Sequence, residues 1–184
     1  MAVSFVDIDK NLPGGANMGG IKQTVYFAYH KDVESWPTEP DFDSVTDIEE
    51  LATLNGDITM KSGTRFFKLY LTDDTGEFEI ESVGEKDGKS WIMHLRLFHP
   101  GLQKKILGFI NAAKNENLVF IVPDNNQNLF LMGDALRPAT YEGSPDSNGT
   151  GMETSARPGV SMEFTYKTSN LYHYGGAVPL TEAT

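Results

Sequence analysis

Glu77-Phe78-Glu79-Ile80-Glu81 alternates carboxylate and apolar side chain with a period of two. Successive side chains of a strand point to opposite faces. The run therefore predicts a strand that buries Phe78 and Ile80 and shows Glu77, Glu79 and Glu81 on its other face. Nothing basic lies within the row, and no histidine is close to it in sequence. A catalytic pair of carboxylates usually sits in differing environments that push the two pKa values apart. Three equivalent carboxylates read instead as a surface that stays wet and negative, a wall rather than a cleft. The plainer alternative is the polar side of a one-sided sheet.

Around this run the pattern is β. Residues 57–61 and 64–72 are candidate strands, and Asp73-Asp74-Thr75-Gly76 has the turn chemistry of a hairpin. Residues 77–83 are expected to pair back on 64–72. Residues 90–98 alternate Trp91, Met93, Leu95 and Leu97 on one face with His94 and Arg96 on the other. After Pro100 and Gly101, residues 102–114 carry Leu102, Ile106, Phe109, Ile110 and Ala113 at helical spacing, with Lys104, Lys105 and Lys114 opposite. Strands follow at 118–122 and 128–133, joined by Pro123-Asp124-Asn125-Asn126-Gln127. A Gly-, Ser-, Thr- and Pro-rich loop covers about 137–159. In the last clear strand Val160, Met162, Phe164 and Tyr166 alternate with Ser161, Glu163, Thr165 and Lys167. An earlier strand, 22–30, places Val25, Phe27 and Tyr29 on one face. The sum is a mainly β (α+β) chain, a β-sandwich or barrel of about seven or eight strands with one flanking α-helix.

The 184 residues suggest one domain, enough to bury a sizeable core. Its expected extent is 21–175, between a flexible N-terminal arm at 1–20 and a C-terminal tail at 176–184. Phe5, Val6 and Ile8 in the arm are candidates for contact with another subunit, and Pro13-Gly14-Gly15 and Gly19-Gly20 interrupt any regular element there. Residues 32–56 hold eight acids and no Lys or Arg. Pro37 and Pro40 exclude a helix or central strand in the first half, and residues 44–54 suggest a short helix. The segment reads as a solvated loop, or as a long insertion that contacts a neighbouring subunit through Trp36, Phe42, Ile48 and Leu51.

A formal charge of −11, from 15 basic and 26 acidic residues, argues against binding nucleic acid by phosphate neutralisation or adhering to an anionic membrane. With no cysteine, disulfides and thiolate chemistry are excluded. No signal peptide and no run of roughly 20 apolar residues is visible, which fits synthesis in a cytoplasm.

Chemical motifs are weak. Gly88-Lys89-Ser90 resembles the end of a phosphate-binding loop, but Val83 stands where the first glycine belongs and a strand follows. Asp124-Asn125-Asn126-Gln127-Asn128 offers oxygens at alternate positions, yet Leu129 replaces the glycine of a calcium loop and the closing glutamate is missing; turn propensity explains it. The glycines at 14–20 do not match the dinucleotide fingerprint. His30, His94, His99 and His173 lack metal-ligand spacing. No catalytic residue, cofactor or metal ligand is assigned.

The order of elements from residue 57 is distinctive. A strand pair precedes Trp91-Ile92-Met93-His94-Leu95-Arg96-Leu97 and an amphipathic helix. Then come Leu118-Val119-Phe120-Ile121-Val122-Pro123-Asp124-Asn125-Asn126 and Phe130-Leu131-Met132-Gly133. A polar loop with Gly149-Thr150-Gly151 leads to Val160-Ser161-Met162-Glu163-Phe164-Thr165-Tyr166. Over roughly 57–170 this resembles the tail tube proteins of long-tailed bacteriophages, particularly those of Bacteroidetes phages and prophages. Their superfamily includes contractile-injection and type VI secretion tubes. The resemblance lies in pattern and loop vocabulary, without a diagnostic motif.

It implies stacked, hexameric rings in which inner strands join into a continuous barrel, a virion protein made in the host bacterial cytoplasm, and no catalysis. The implied partners are other copies of the chain, other tail proteins, and double-stranded DNA that passes without specific binding. Glu77, Glu79 and Glu81 become candidates for the lumen face, and 32–56 a candidate for the loop between rings. A tail terminator or connector of the same virion is the near alternative. A carbohydrate-binding β-sandwich needs Trp36, Tyr172 and Tyr174 to form an exposed platform, and a hydrolase needs His94, His99 and carboxylates to converge.

Overall fold

The computed structural model describes residues 5–8, 17–146 and 148–183. Most of the expected arm therefore lies outside the described residues. Twelve strands and one helix follow in order: β1 (Thr24–Tyr29), β2 (Val33–Ser35), β3 (Thr53–Leu54), β4 (Thr59–Met60), β5 (Phe67–Tyr70), β6 (Glu77–Val83), β7 (Ser90–Pro100), α1 (Lys104–Ala113), β8 (Leu118–Pro123), β9 (Leu129–Met132), β10 (Thr140–Gly143), β11 (Gly159–Thr168) and β12 (His173–Tyr174). The mainly β expectation holds.

Two four-stranded antiparallel sheets carry the fold. The first has the order β5-β1-β8-β9 and the second β10-β11-β7-β6. Between them Val25, Leu69, Phe120, Val122 and Met132 of the first meet Met93, Leu95, Leu97, Val160, Met162 and Phe164 of the second. Aromatic pairs span the gap: Phe120 and Phe164 have ring centroids 4.6 Å apart, and Phe78 stacks on Phe130 at 4.8 Å. Such pairs add about 0.5–1.5 kcal/mol beyond the area they bury. Helix α1 closes one end with Ile106 and Ala113 buried and Phe109 against Phe27. Its apolar stripe is as expected, except that Leu102 precedes the helix and is exposed.

The first sheet is covered on both faces. Val119, Ile121 and Leu131 point away from the second sheet into a separate cluster with Val33, Leu54, Ile58, Met60, Phe66, Tyr172 and Tyr174. Every residue of β8 is consequently buried. The short pairs β2–β4 and β3–β12 frame this second core. The chain end joins it as well: Val178, Leu180 and Ala183 pack there, and the Gly63 amide donates to the Ala183 carbonyl at 2.8 Å.

Three expectations are corrected. The 64–72 segment does not pair with 77–83; β5 pairs with β1 in the first sheet, and β6 pairs with β7 in the second. Phe66 faces one core while Leu69 and Leu71 face the other. The segment thus serves both cores, although within β5 only Leu69 is buried, whereas β6 shows its carboxylates on one wet face. The Asp73–Gly76 turn thus crosses between sheets, with Gly76 so close to Ile21 that a Cβ would lie 2.6 Å from its Cγ1. Second, residues 44–54 form no α-helix, only a 3-10 turn at Glu50–Ala52 that leads into β3. Asp41 and Asp47 accept the amides of Asp43 and Glu49, and such local side-chain bonds compete with helix formation. Third, the 137–159 loop contains β10. No circuit of hydrogen bonds closes the sheets into a barrel among the described residues; the Leu118–Ala139 bridge and the Thr72 amide on the Phe98 carbonyl tie them together at two places.

Candidate functional site

The outer face of the second sheet collects Glu77, Glu79 and Glu81 from β6, His94 and Arg96 from β7, and Glu163 from β11. Each strand turns its even or odd set inward to the core, so the opposite set must share this face. The register places Glu77 opposite Arg96, Glu79 opposite His94, and Arg96 opposite Glu163.

The row is therefore not without basic partners, and that expectation is corrected. One Nη1 of Arg96 donates to Glu77 Oε2 and Glu79 Oε2, both at 2.7 Å, and its Nε donates to Glu163 Oε1 at 3.1 Å. The hydrogen bonds it donates to Glu77 and Glu79 hold the guanidinium pKa above its already high usual value. His94 lies between two carboxylates, with Nδ1 3.0 Å from Glu163 Oε1 and Nε2 3.2 Å from Glu81 Oε2. A neutral imidazole has a single N–H, so both contacts are hydrogen bonds only when the ring is protonated. The three β6 carboxylates are half or more exposed, while Glu163 is mostly covered.

Four carboxylates against one guanidinium leave the cluster negative. On β10, Glu142 adds a fifth, accepting from Thr165 Oγ1 at 2.7 Å. Arg96 fills the centre, and among the described residues no group of three or more His, Asp or Glu side chains is placed to hold a metal ion. The cluster is arranged to fix a negatively charged sheet surface. Among the described residues β6 pairs only with β7 and β10 only with β11 as strands, while Ala139, just before β10, is bridged to Leu118 of β8. On β6, Ile80 is paired with the buried Met93 but is itself 36% exposed at the open edge.

The other candidate residues are dispersed. Phe5, Val6, Ile8 and Phe42 are exposed; Ile48 and Leu51 are half-buried in the acidic loop. Trp36 is half-buried, packs on the second core, and lies against the His30 ring with centroids 4.9 Å apart. Tyr172 and Tyr174 are buried, so the three aromatics form no open platform. His94 and His99 do not converge: they have opposite parity on β7, and His99 Nδ1 contacts the Tyr70 carbonyl at 2.8 Å. The Asp124 carboxylate is satisfied within its turn by the amides of Asn126 and Asn128, as turn chemistry requires.

A cavity of about 360 Å³ opens where β9 ends, floored by Leu54, Met93 and Leu131 and walled by Trp36, Tyr166 and Tyr172. The Tyr166 hydroxyl donates to Asp134 Oδ2 at 2.7 Å and the Tyr172 hydroxyl to Glu39 Oε2 at 3.1 Å. Burial, reinforced by these carboxylates, raises both phenol pKa values, that of Tyr172 to about 12. Sequence reasoning missed this cavity because its lining comes from five distant segments.

No protein-family description, curated protein or solved structure matches the chain.

Proposed function

We propose that the chain is a structural subunit of a bacteriophage tail tube, forming rings that stack into a hollow conduit for DNA. The observation that supports this reading is the acidic outer face of a sheet whose two bounding strands, β6 and β10, each pair with one strand, leaving β6 and the part of β10 beyond the Ala139 bridge with an edge to offer. In an antiparallel sheet of four strands the outermost two run in opposite directions. The β6 edge of one copy can therefore meet the β10 edge of the next and continue the sheet with its antiparallel order intact. A contact of this kind is head-to-tail, and it closes into a ring when the rotation between copies divides the circle. Pairing β6 with a second β6 would instead set carboxylates opposite carboxylates, which is destabilising.

In such a ring the second sheets form a continuous barrel with Glu77, Glu79 and Glu81 toward the lumen. Phosphates and carboxylates repel across the roughly 8–10 Å over which salt leaves charges visible to one another. DNA then passes over a hydrated wall without binding. Arg96 reduces the negative charge without reversing it, and Arg96 and His94 hold the carboxylates in fixed places. The partners are other copies and other tail proteins, the place of action is the virion, and no catalytic step is assigned.

Negative-stain microscopy of concentrated purified protein tests the reading. Rings stacked into tubes are expected. Rings that never stack favour a terminator or connector of the same virion, and a monomer at every concentration overturns both.

A further inference from the structure

Residues 5–8 carry three exposed apolar side chains: Phe5 is 90% exposed, Val6 60% and Ile8 86%. Singly exposed apolar residues need no explanation, but a contiguous set signals an interaction surface. Where this segment joins the fold is fixed. Asn126 holds residues 17 and 18 through its side chain, and Asn125 Nδ2 donates to the Gly19 carbonyl at 2.7 Å. The segment is thus tethered at the β8–β9 turn.

The cavity beside Trp36 lies past the other end of the same hairpin, where β9 leads into Gly133 and Asp134. The six residues of β8 separate these two ends by roughly 20 Å. The cavity has an aromatic and aliphatic interior, and Leu136 at its lip is 87% exposed. The guanidinium of Arg137 on the rim meets the Lys167 carbonyl at 3.5 Å and no carboxylate among the described residues, while the Arg137 amide donates to Asp134 Oδ1 at 2.7 Å.

We propose that residues 5–8 of one copy dock in this cavity of a second copy. Phe5 enters between Trp36 and Tyr172, and Asp7 pairs with Arg137. In an extended segment residues two apart share a face, so Phe5 and Asp7 can reach a pocket and its rim together. Tether and cavity lie at opposite ends of the sheet, so end-to-end stacking brings them together without a fold-back. This rests on the reading that copies stack, and it names the contact between them. An aromatic side chain in an apolar pocket beside one charge pair has the make-up of an interface anchor.

The chain has no cysteine, so single thiols can be placed at will. Full-length Val6→Cys is mixed with full-length Leu136→Cys under mild oxidation. A mixed disulfide dimer is expected at several times the yield obtained with Met152→Cys, whose site is fully exposed elsewhere. Adding Phe5→Ser to the Val6→Cys chain should reduce the yield to that of the Met152 control, and Arg137→Ala should lower it partly. Equal yields for the two cysteine partners overturn the proposal. So does a Val6→Cys/Leu136→Cys double variant that closes within one chain at high dilution. Tubes seen by microscopy without the disulfide refute this contact alone, whereas the disulfide without tubes supports it and refutes the tube.

Discussion

Glu77 stands directly across the β6–β7 register from Arg96, and the guanidinium bonds its carboxylate at 2.7 Å. The same nitrogen takes Glu79, and Nε takes Glu163, so one cation spans three strands. An exposed ion pair contributes about 0–1 kcal/mol, but a shared cation in a network, with one partly covered carboxylate, contributes more than any single pair. Arg96→Met keeps the length of the stem and removes the charge. It should destabilise the fold by about 1–2 kcal/mol, read as a lower urea midpoint. The loss should shrink in high salt, because the repulsion among the remaining carboxylates is then screened.

Reversing the β6 row tests the wall. Glu77→Lys, Glu79→Lys and Glu81→Lys made together leave the inward residues of β6 untouched, so the unfolding free energy should fall by no more than about 3 kcal/mol, read from the urea midpoint. Assembled particles of this variant should retain DNA in a salt-sensitive way, measured by co-sedimentation. Unchanged DNA passage and no retention would show that the row is an ordinary polar strand face.

Gly159 of the second sheet leaves no room for a side chain. A Cβ there would lie 2.2 Å from Phe98 Cζ and 2.6 Å from the His99 carbonyl oxygen. The carbonyl belongs to the β7–β11 ladder and cannot swing away. Gly159→Ala should cost about 1–3 kcal/mol by overpacking, with the unfolding midpoint as readout. Gly149→Ala, whose Cβ meets open space, serves as the control.

Alkaline pH should unfold the protein through its tyrosines. The phenol of Tyr172 is raised to about 12, and those of Tyr166 and Tyr174 are raised as well, first of all by burial. A phenol whose pKa is higher folded than unfolded stabilises the fold fully below about 10, its unfolded value. That contribution is lost as pH rises from about 10 through the folded value. Ultraviolet titration should show these three tyrosines ionising only above about pH 10, together with loss of structure. In Tyr172→Phe, which also frees Glu39 from its donor, one late-titrating group should be missing.

Much of the local structure is written in the residues themselves. The period-two alternation at 77–83, 90–98 and 160–166 determined three strands and which side chains share a face, because strand geometry leaves no other arrangement. The 3.6-residue spacing of Ile106, Phe109, Ile110 and Ala113 likewise determined the helix. Alternation does not say which strands are neighbours. Only the tertiary structure decided that β5 lies beside β1, because the deciding quantity is how much apolar surface each sheet must cover on its two faces. For the same reason Glu77, Glu79 and Glu81 read as an unpartnered row in one dimension, although His94, Arg96 and Glu163 were already recognisable as outward-facing. The register between strands brought them within 3.2 Å of one another, and register is set by the packed core on the far side of the sheet rather than by the charges it aligns.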